Sequence, residues 1–166
     1  MMRFIGIDLG LSGAAAMIDG ATRDMEVADL PTVDSEAGRR LHGRLLLDMI
    51  RAWVPAGEVC FATVEDVRPR PGDRRGHGNT MHSQGSLMRS RGIVEAVLDI
   101  QGAQVLWIWP QKWKRQYGLI GEGKNTSREV AARMFPGLAS AFSRVKDDGR
   151  AEAMLLAYYG MREEMG

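Results

Sequence analysis

Arg3-Phe4-Ile5-Gly6-Ile7-Asp8-Leu9-Gly10-Leu11-Ser12-Gly13-Ala14-Ala15-Ala16-Met17-Ile18 is an apolar run broken by one carboxylate, then a glycine-rich turn, then a second apolar run. The pattern predicts a strand over about 3–9, a tight turn and a returning strand over about 13–19. An acid stands where a core strand should be apolar. Burying an ionised carboxylate is costly unless a metal or cation compensates it. Taken alone, an Asp beside a Gly turn reads as a turn former. The remainder of the chain supplies reasons to read it as a ligand.

Outward from this hairpin, residues 24–30 form a third antiparallel strand ending at Pro31, and 32–38 are a polar connection. Leu41, Leu45, Leu46, Met49, Ile50 and Trp53 follow the 3.6-residue period and predict an amphipathic helix over about 38–54. Residues 58–67 read as a buried strand that arrives at Glu65. The Arg-, Pro- and Gly-rich stretch 68–79 is expected to be a loop. Helical periodicity returns over 81–100, followed by a short strand over 105–109 that Pro110 stops. A short helix over 110–117, a helix capped by Asn125 or Thr126 and running to Phe135, and a final helix over 147–162 complete the chain. The order predicts one α/β domain over 1–166. It has a mixed five-stranded sheet, three antiparallel N-terminal strands then two parallel ones, with helices on both faces. Strand order does not follow from pattern.

The 166 residues carry a net charge of only +1, unevenly spread. Residues 68–91 hold Arg68, Arg70, Arg74, Arg75, Arg89 and Arg91 against Asp73, and residues 112–128 hold Lys112, Lys114, Arg115, Lys124 and Arg128 against Glu122. The rest is therefore net negative. Such segregation suits a polyanion-binding face, whereas an ordinary solvated surface would intersperse the signs. Cys60 is the only cysteine, so neither a disulfide framework nor a thiolate metal site is available. No apolar run approaches membrane-spanning length and no signal peptide opens the chain, so a cytoplasmic protein without membrane contact is expected.

Glu65 ends the fourth strand within Thr63-Val64-Glu65, and Asp148 and Glu152 stand four residues apart in Asp148-Gly149-Arg150-Ala151-Glu152-Ala153. That spacing puts both carboxylates on one helix face, an unfavourable pairing without a counter-charge. Singly, each acid has a bland reading as a strand end, a helix cap or a solvated residue. Together with Asp8 they form a set of hard oxygen donors with no His or Cys array, which points to Mg²⁺ or Mn²⁺. Asp147 adjoins Asp148, but Asp147 to Glu152 is a five-residue step that turns about 140° round the helix. Phase therefore favours Asp148.

The segments Ile5-Gly6-Ile7-Asp8-Leu9-Gly10, Thr63-Val64-Glu65 and Asp148-Gly149-Arg150-Ala151-Glu152-Ala153 resemble the three acidic motifs of the RuvC-type Holliday junction resolvases, in the flavour of the phage and fungal-mitochondrial branch. Pro110-Gln111-Lys112-Trp113-Lys114 and Lys124-Asn125-Thr126-Ser127-Arg128-Glu129 resemble the same family's Lys-bearing segments. Its last acid is usually Asp, where Glu152 stands here. The resemblance implies a ribonuclease H-like fold and a homodimeric, structure-selective endonuclease acting on four-way and other branched DNA. It implies two Mg²⁺ per active site, about 3.5–4 Å apart, on Asp8, Glu65, Asp148 and Glu152 as the catalytic residues. Arg68, Arg70, Arg74, Arg75, Lys112, Lys114, Lys124 and Arg128 would contact DNA. Leu87, Met88, Ile93, Val94, Val97 and Leu98 make the 81–100 helix the candidate dimer interface, and the same residues fit a buried core helix equally well. Trp113 and Tyr117 could stack on bases, but packing is the better reading for Trp107, Trp109 and Trp113. Two other readings stay open. One is a nucleotide-binding module, since Asp8-Leu9-Gly10-Leu11-Ser12-Gly13 also resembles the phosphate hairpin of the actin and sugar-kinase fold. The other is a non-catalytic junction-binding protein.

Overall fold

The computed structural model describes residues 1–68 and 80–166. Its main sheet runs β3-β2-β1-β6-β7, from β1 (Met2–Asp8), β2 (Ala14–Asp19), β3 (Met25–Asp29), β6 (Val59–Glu65) and β7 (Gln104–Ile108). β1–β2 and β2–β3 pair antiparallel, while β1–β6 and β6–β7 pair parallel. The α/β class and the mixed five-stranded sheet are as the sequence predicts, and β1 proves to be the central strand.

Period-two alternation sorts the strands between two cores. Ile5 and Ile7 of β1, with Cys60, Ala62 and Val64 of β6, face a core shared with α1 (Gly43–Trp53) and α2 (Met81–Gln101). Phe4 faces the opposite core, built with α3 (Pro110–Gln116), α4 (Lys124–Met134) and α5 (Asp148–Met165). By the same alternation Gly6, Asp8 and Glu65 belong to the α5 face. In β1 and β6 the acids come at or next to the carboxyl ends, where crevices form in open α/β sheets.

α5 lies directly on the central strand. A Cβ on Gly6 would sit 2.0 Å from the Ala153 carbonyl oxygen and 2.3 Å from the Ala157 backbone nitrogen. Backbone therefore meets backbone, and Ala153 and Ala157 supply the matching small residues. Met154, Leu155 and Leu156 are buried as well, so α5 is covered on more than one side.

Several boundaries differ from expectation. α1 starts at Gly43, because two short strands, β4 (Thr32–Val33) and β5 (Arg40–Leu41), pair before it and Gly38 turns the chain at φ +89°. His42 caps α1, its Nδ1 accepting from the Leu45 N–H. α4 begins at Lys124 on Gly123 with no side-chain cap, and the Asn125 amide oxygen is taken by Arg128. Two 3-10 segments, Pro136–Phe142 and Val145–Asp147, precede α5. In α2, Val94, Val97 and Leu98 are buried in the core and Leu87 and Ile93 pack against it, so these residues of the expected dimer face serve the monomer. The expected loop over 69–79 lies outside the described residues. None of the described helices is long and apolar enough to cross a membrane.

Seating α5 on Gly6 makes that position intolerant. Gly6→Ala should lower stability by about 3 kcal/mol or more, the severe end of overpacking. Thermal denaturation should then show Tm falling by at least about 6 °C; a loss under about 2 °C would refute the close seating.

Candidate active site

Asp8 closes β1, Glu65 closes β6, Asp148 opens α5 and Glu152 follows one turn later. A cleft of about 540 Å³ is lined by Asp8, Ser12, Lys114, Lys124, Asp148 and Glu152, among others. Glu65 lines the adjoining cleft of about 400 Å³, which shares Lys114. Gly149 permits the approach of α5 to the β1–β2 turn: its Cβ would stand 3.0 Å from Asp8 Oδ2 and 3.0 Å from the Ser12 carbonyl oxygen.

Two lysines thread the acids. Lys114 Nζ lies 3.7 Å from Glu65 Oε1 and 3.7 Å from Glu152 Oε2, and Lys124 Nζ lies 3.3 Å from Asp148 Oδ2. The indole N–H of fully buried Trp113 donates to Glu65 Oε1 at 3.1 Å, which fixes that carboxylate. A buried indole needs such an acceptor. The packing role expected for Trp113 is therefore observed, with this added polar contact. Tyr117 meets Trp113 edge-on and donates to the Leu155 carbonyl, a second interior role.

Adjacent acids have opposite environments. Burial, then the charges of Glu152 and Glu65, hold the Asp8 carboxyl well above the ordinary carboxylate range, with Lys114 opposing. Burial likewise raises Glu152, with Lys114 opposing and the charges of Glu65 and Asp148 adding to the rise. Asp147 is buried, and hydrogen bonds from Arg144 hold its pKa low. Asp66 is held low by Arg91 and Arg68 on the other face of β6. Asp147 is thus a structural acid, and Asp148 is the one in the cleft, as helix phase favours. Burial pushes the Cys60 thiol up to about 11, which leaves it inert as a nucleophile.

The basic residues divide too. Lys114 and Lys124 join the acids. Lys112 instead faces Tyr159 on α5, where it opposes the rise that burial gives the Tyr159 hydroxyl. Arg128 donates to the carbonyls of Phe142 and Ser143 and to Asn125, so its guanidinium braces the 3-10 segment and does not line the cleft. Arg68 binds Asp66 and lies over the Trp109 ring at 4.7 Å, beside the second cleft. Arg70, Arg74 and Arg75 lie outside the described residues. Sequence reading missed the Trp113–Glu65 bond and the Arg91–Asp66 and Arg144–Asp147 pairs. The signal available for the first was a buried Trp beside an acid-rich cleft.

Four carboxylates with no nitrogen or sulfur donor beside them among the described residues suit a hard divalent cation, which would relieve the repulsion that adds to burial in raising Asp8. As the side chains stand, no three His, Cys, Asp or Glu residues among those described close round a single ion. The ammonium groups supply the counter-charge.

Because the folded pKa of Asp8 exceeds the unfolded value near 3.8, the folded state binds more protons between the two. Its contribution to stability is therefore lost as pH rises through the folded pKa, and Glu152 adds the same sign. In chelator-treated protein at pH 8, Asp8→Asn should raise Tm by about 2–4 °C per kcal/mol of repulsion removed. The gap should close toward pH 4. A lower Tm for the variant at pH 8 would contradict this electrostatic account.

No family model matches the chain, and no curated relative matches it. Among solved structures, the chain is similar to Thermus thermophilus RuvC in complex with a Holliday junction substrate. The TM-score is 0.58 at 15% identity, with 99% of this chain and 97% of that chain covered. A second Thermus thermophilus RuvC structure aligns over 98% of this chain and 97% of its own, with a TM-score of 0.46 at 16% identity. Over essentially its whole length, the chain has the fold of a RuvC-type resolvase.

Proposed function

We propose that this chain is a divalent-metal-dependent endonuclease that cuts branched DNA, four-way junctions foremost. One observation carries the reading: Asp8, Glu65, Asp148 and Glu152 gather with Lys114 and Lys124 at one end of a sheet whose fold is that of a protein solved with a Holliday junction substrate.

Asp8, Glu65, Asp148 and Glu152 would hold Mg²⁺, or Mn²⁺ in its place, in a two-ion arrangement. When bound, the metal supplies Lewis-acid activation of water and stabilises charge on the scissile phosphodiester. The protein's own groups do the rest. Trp113 orients Glu65. Lys114 offsets the repulsion between Glu65 and Glu152 and so lets acids from two elements share one cleft. Lys124, with 86% of its side chain exposed, can reach a phosphate oxygen at the cleft mouth. Hydrolysis would leave 5′-phosphate and 3′-hydroxyl ends. Paired nicks across a junction need two matched sites, which a two-fold symmetric homodimer provides.

A labelled four-way junction incubated with protein and Mg²⁺ should yield symmetric nicks. Asp8→Asn should reduce cleavage by about 10³-fold or more, equivalent to about 4 kcal/mol of transition-state stabilisation, while retaining junction binding. Binding without nicks in Mg²⁺ or Mn²⁺ would overturn the nuclease in favour of an architectural junction binder. ATP affinity without DNA affinity would favour the nucleotide module. Flaps, forks and plain duplex in the same panel define which branches are cut.

A further inference from the structure

The β4–β5 hairpin and the start of α2 enclose another cleft, of about 400 Å³, which shares Leu11 of the β1–β2 turn with the acid cleft. Arg39 reaches it from the hairpin side, and His82, Gly85, Ser86 and Arg89 from α2. Among the described residues its lining carries basic side chains and no acidic one. Arg3, Arg44, Arg68, Arg91, Lys114, Lys124, Arg144 and Arg150 each pair with a carboxylate. Among the described residues, Arg39, His82 and Arg89 form no ion pair, nor do Arg23, Arg40, Arg51, Arg115, Arg133 and Arg162, so what sets the three apart is their convergence on one cleft. The Arg39 Nε donates to Thr32 Oγ1 at 3.0 Å, which anchors the side chain through Nε, while no described carboxylate pairs with the guanidinium.

Gly85 adds an independent observation. It lies inside a 21-residue helix, where glycine is unfavourable relative to alanine. Nothing among the described residues demands it, because a Cβ there would meet none of their heavy atoms within 4 Å. Its bare backbone keeps the cleft floor open to a closely approaching ligand. The lining has no aromatic ring except the His82 imidazole, so it offers little on which a base could stack.

We infer that Arg39, Arg89 and the open floor at Gly85 form a phosphate-backbone subsite for a DNA strand that passes over the β1–β2 turn from the acid cleft. The inference rests on the proposed nuclease reading for its strand path, but the subsite itself requires only DNA binding. Two guanidinium forks from separate elements bind phosphate oxygens and carry no sequence information.

The test is fluorescence anisotropy of the full chain with a four-way junction and with a plain duplex, in Ca²⁺, between about 50 and 200 mM salt. Each phosphate contact contributes about 0.9 to the slope of log K against log salt, so R39Q/R89Q should flatten that slope by about 1.8. Arg44→Gln, on α1 and paired with Asp48, should leave it unmoved. Gly85→Gln should raise Tm yet weaken binding, a combination that a folding defect does not produce. An unchanged slope in R39Q/R89Q overturns the subsite. So does an unchanged slope accompanied by a fall in mass by light scattering, which would assign this face to contact between copies. If the wild type cuts no branched DNA but its duplex binding still loses about two contacts in the double variant, the nuclease fails and the subsite stands. If it cuts and the slope does not move, the reverse holds; if it binds no DNA, both fail.

Discussion

The contact on which the rest depends is the seating of α5 on the central strand at Gly6, with no side chain between the two backbones. Helix and strand are held at a separation that Ala153 and Ala157 alone could not set if Gly6 carried a methyl group. From that seating, the first turn of α5 falls beside the end of β1. Asp148 and Glu152 then line the same cleft as Asp8. Gly149 repeats the device one turn before Ala153, where the helix passes the β1–β2 turn. The spacing of the cleft acids is a by-product of backbone packing.

Neighbouring acids in the sequence are then sorted by what faces them. Glu65 turns to Trp113 and Lys114, whereas Asp66, one residue on, is saturated by Arg91 and Arg68. Asp147 is locked by Arg144, whereas Asp148 meets only the long, exposed Lys124. Guanidiniums with full hydrogen bonding make stable, low-pKa carboxylates that hold structure. Ammoniums at 3.3–3.7 Å leave oxygen valences open. Arg therefore accompanies the structural acids and Lys the acids of the cleft, a division that follows from the difference between a fixed fork and a mobile point charge.

Much of this was readable in the chain because the signals are local. Asp8 interrupts an apolar strand period, Glu65 ends one, and Asp148 and Glu152 show a helical step. What was not readable depends on distant partners. The Trp113–Glu65 bond spans 48 residues of sequence. Arg128 sits in a basic window, yet the carbonyls of Phe142 and Ser143 claim its donors, and no composition count reveals that. The β4–β5 hairpin has two residues per strand, too few for any periodicity, so the pattern assigns β4 to a connection and β5 to a helix that in fact starts at Gly43. On α2, an apolar count suggested a surplus face, but Val94, Val97 and Leu98 are consumed by the core beneath.

Lys114 has a consequence of its own. Standing midway between Glu65 and Glu152, it is a resident counter-ion fastened to the scaffold, and any incoming cation competes with a charge that diffusion cannot carry away. A cation bound there would enter by exchange between two positive charges. The chain can rest with its acids gathered, and one side chain would set the threshold for such loading.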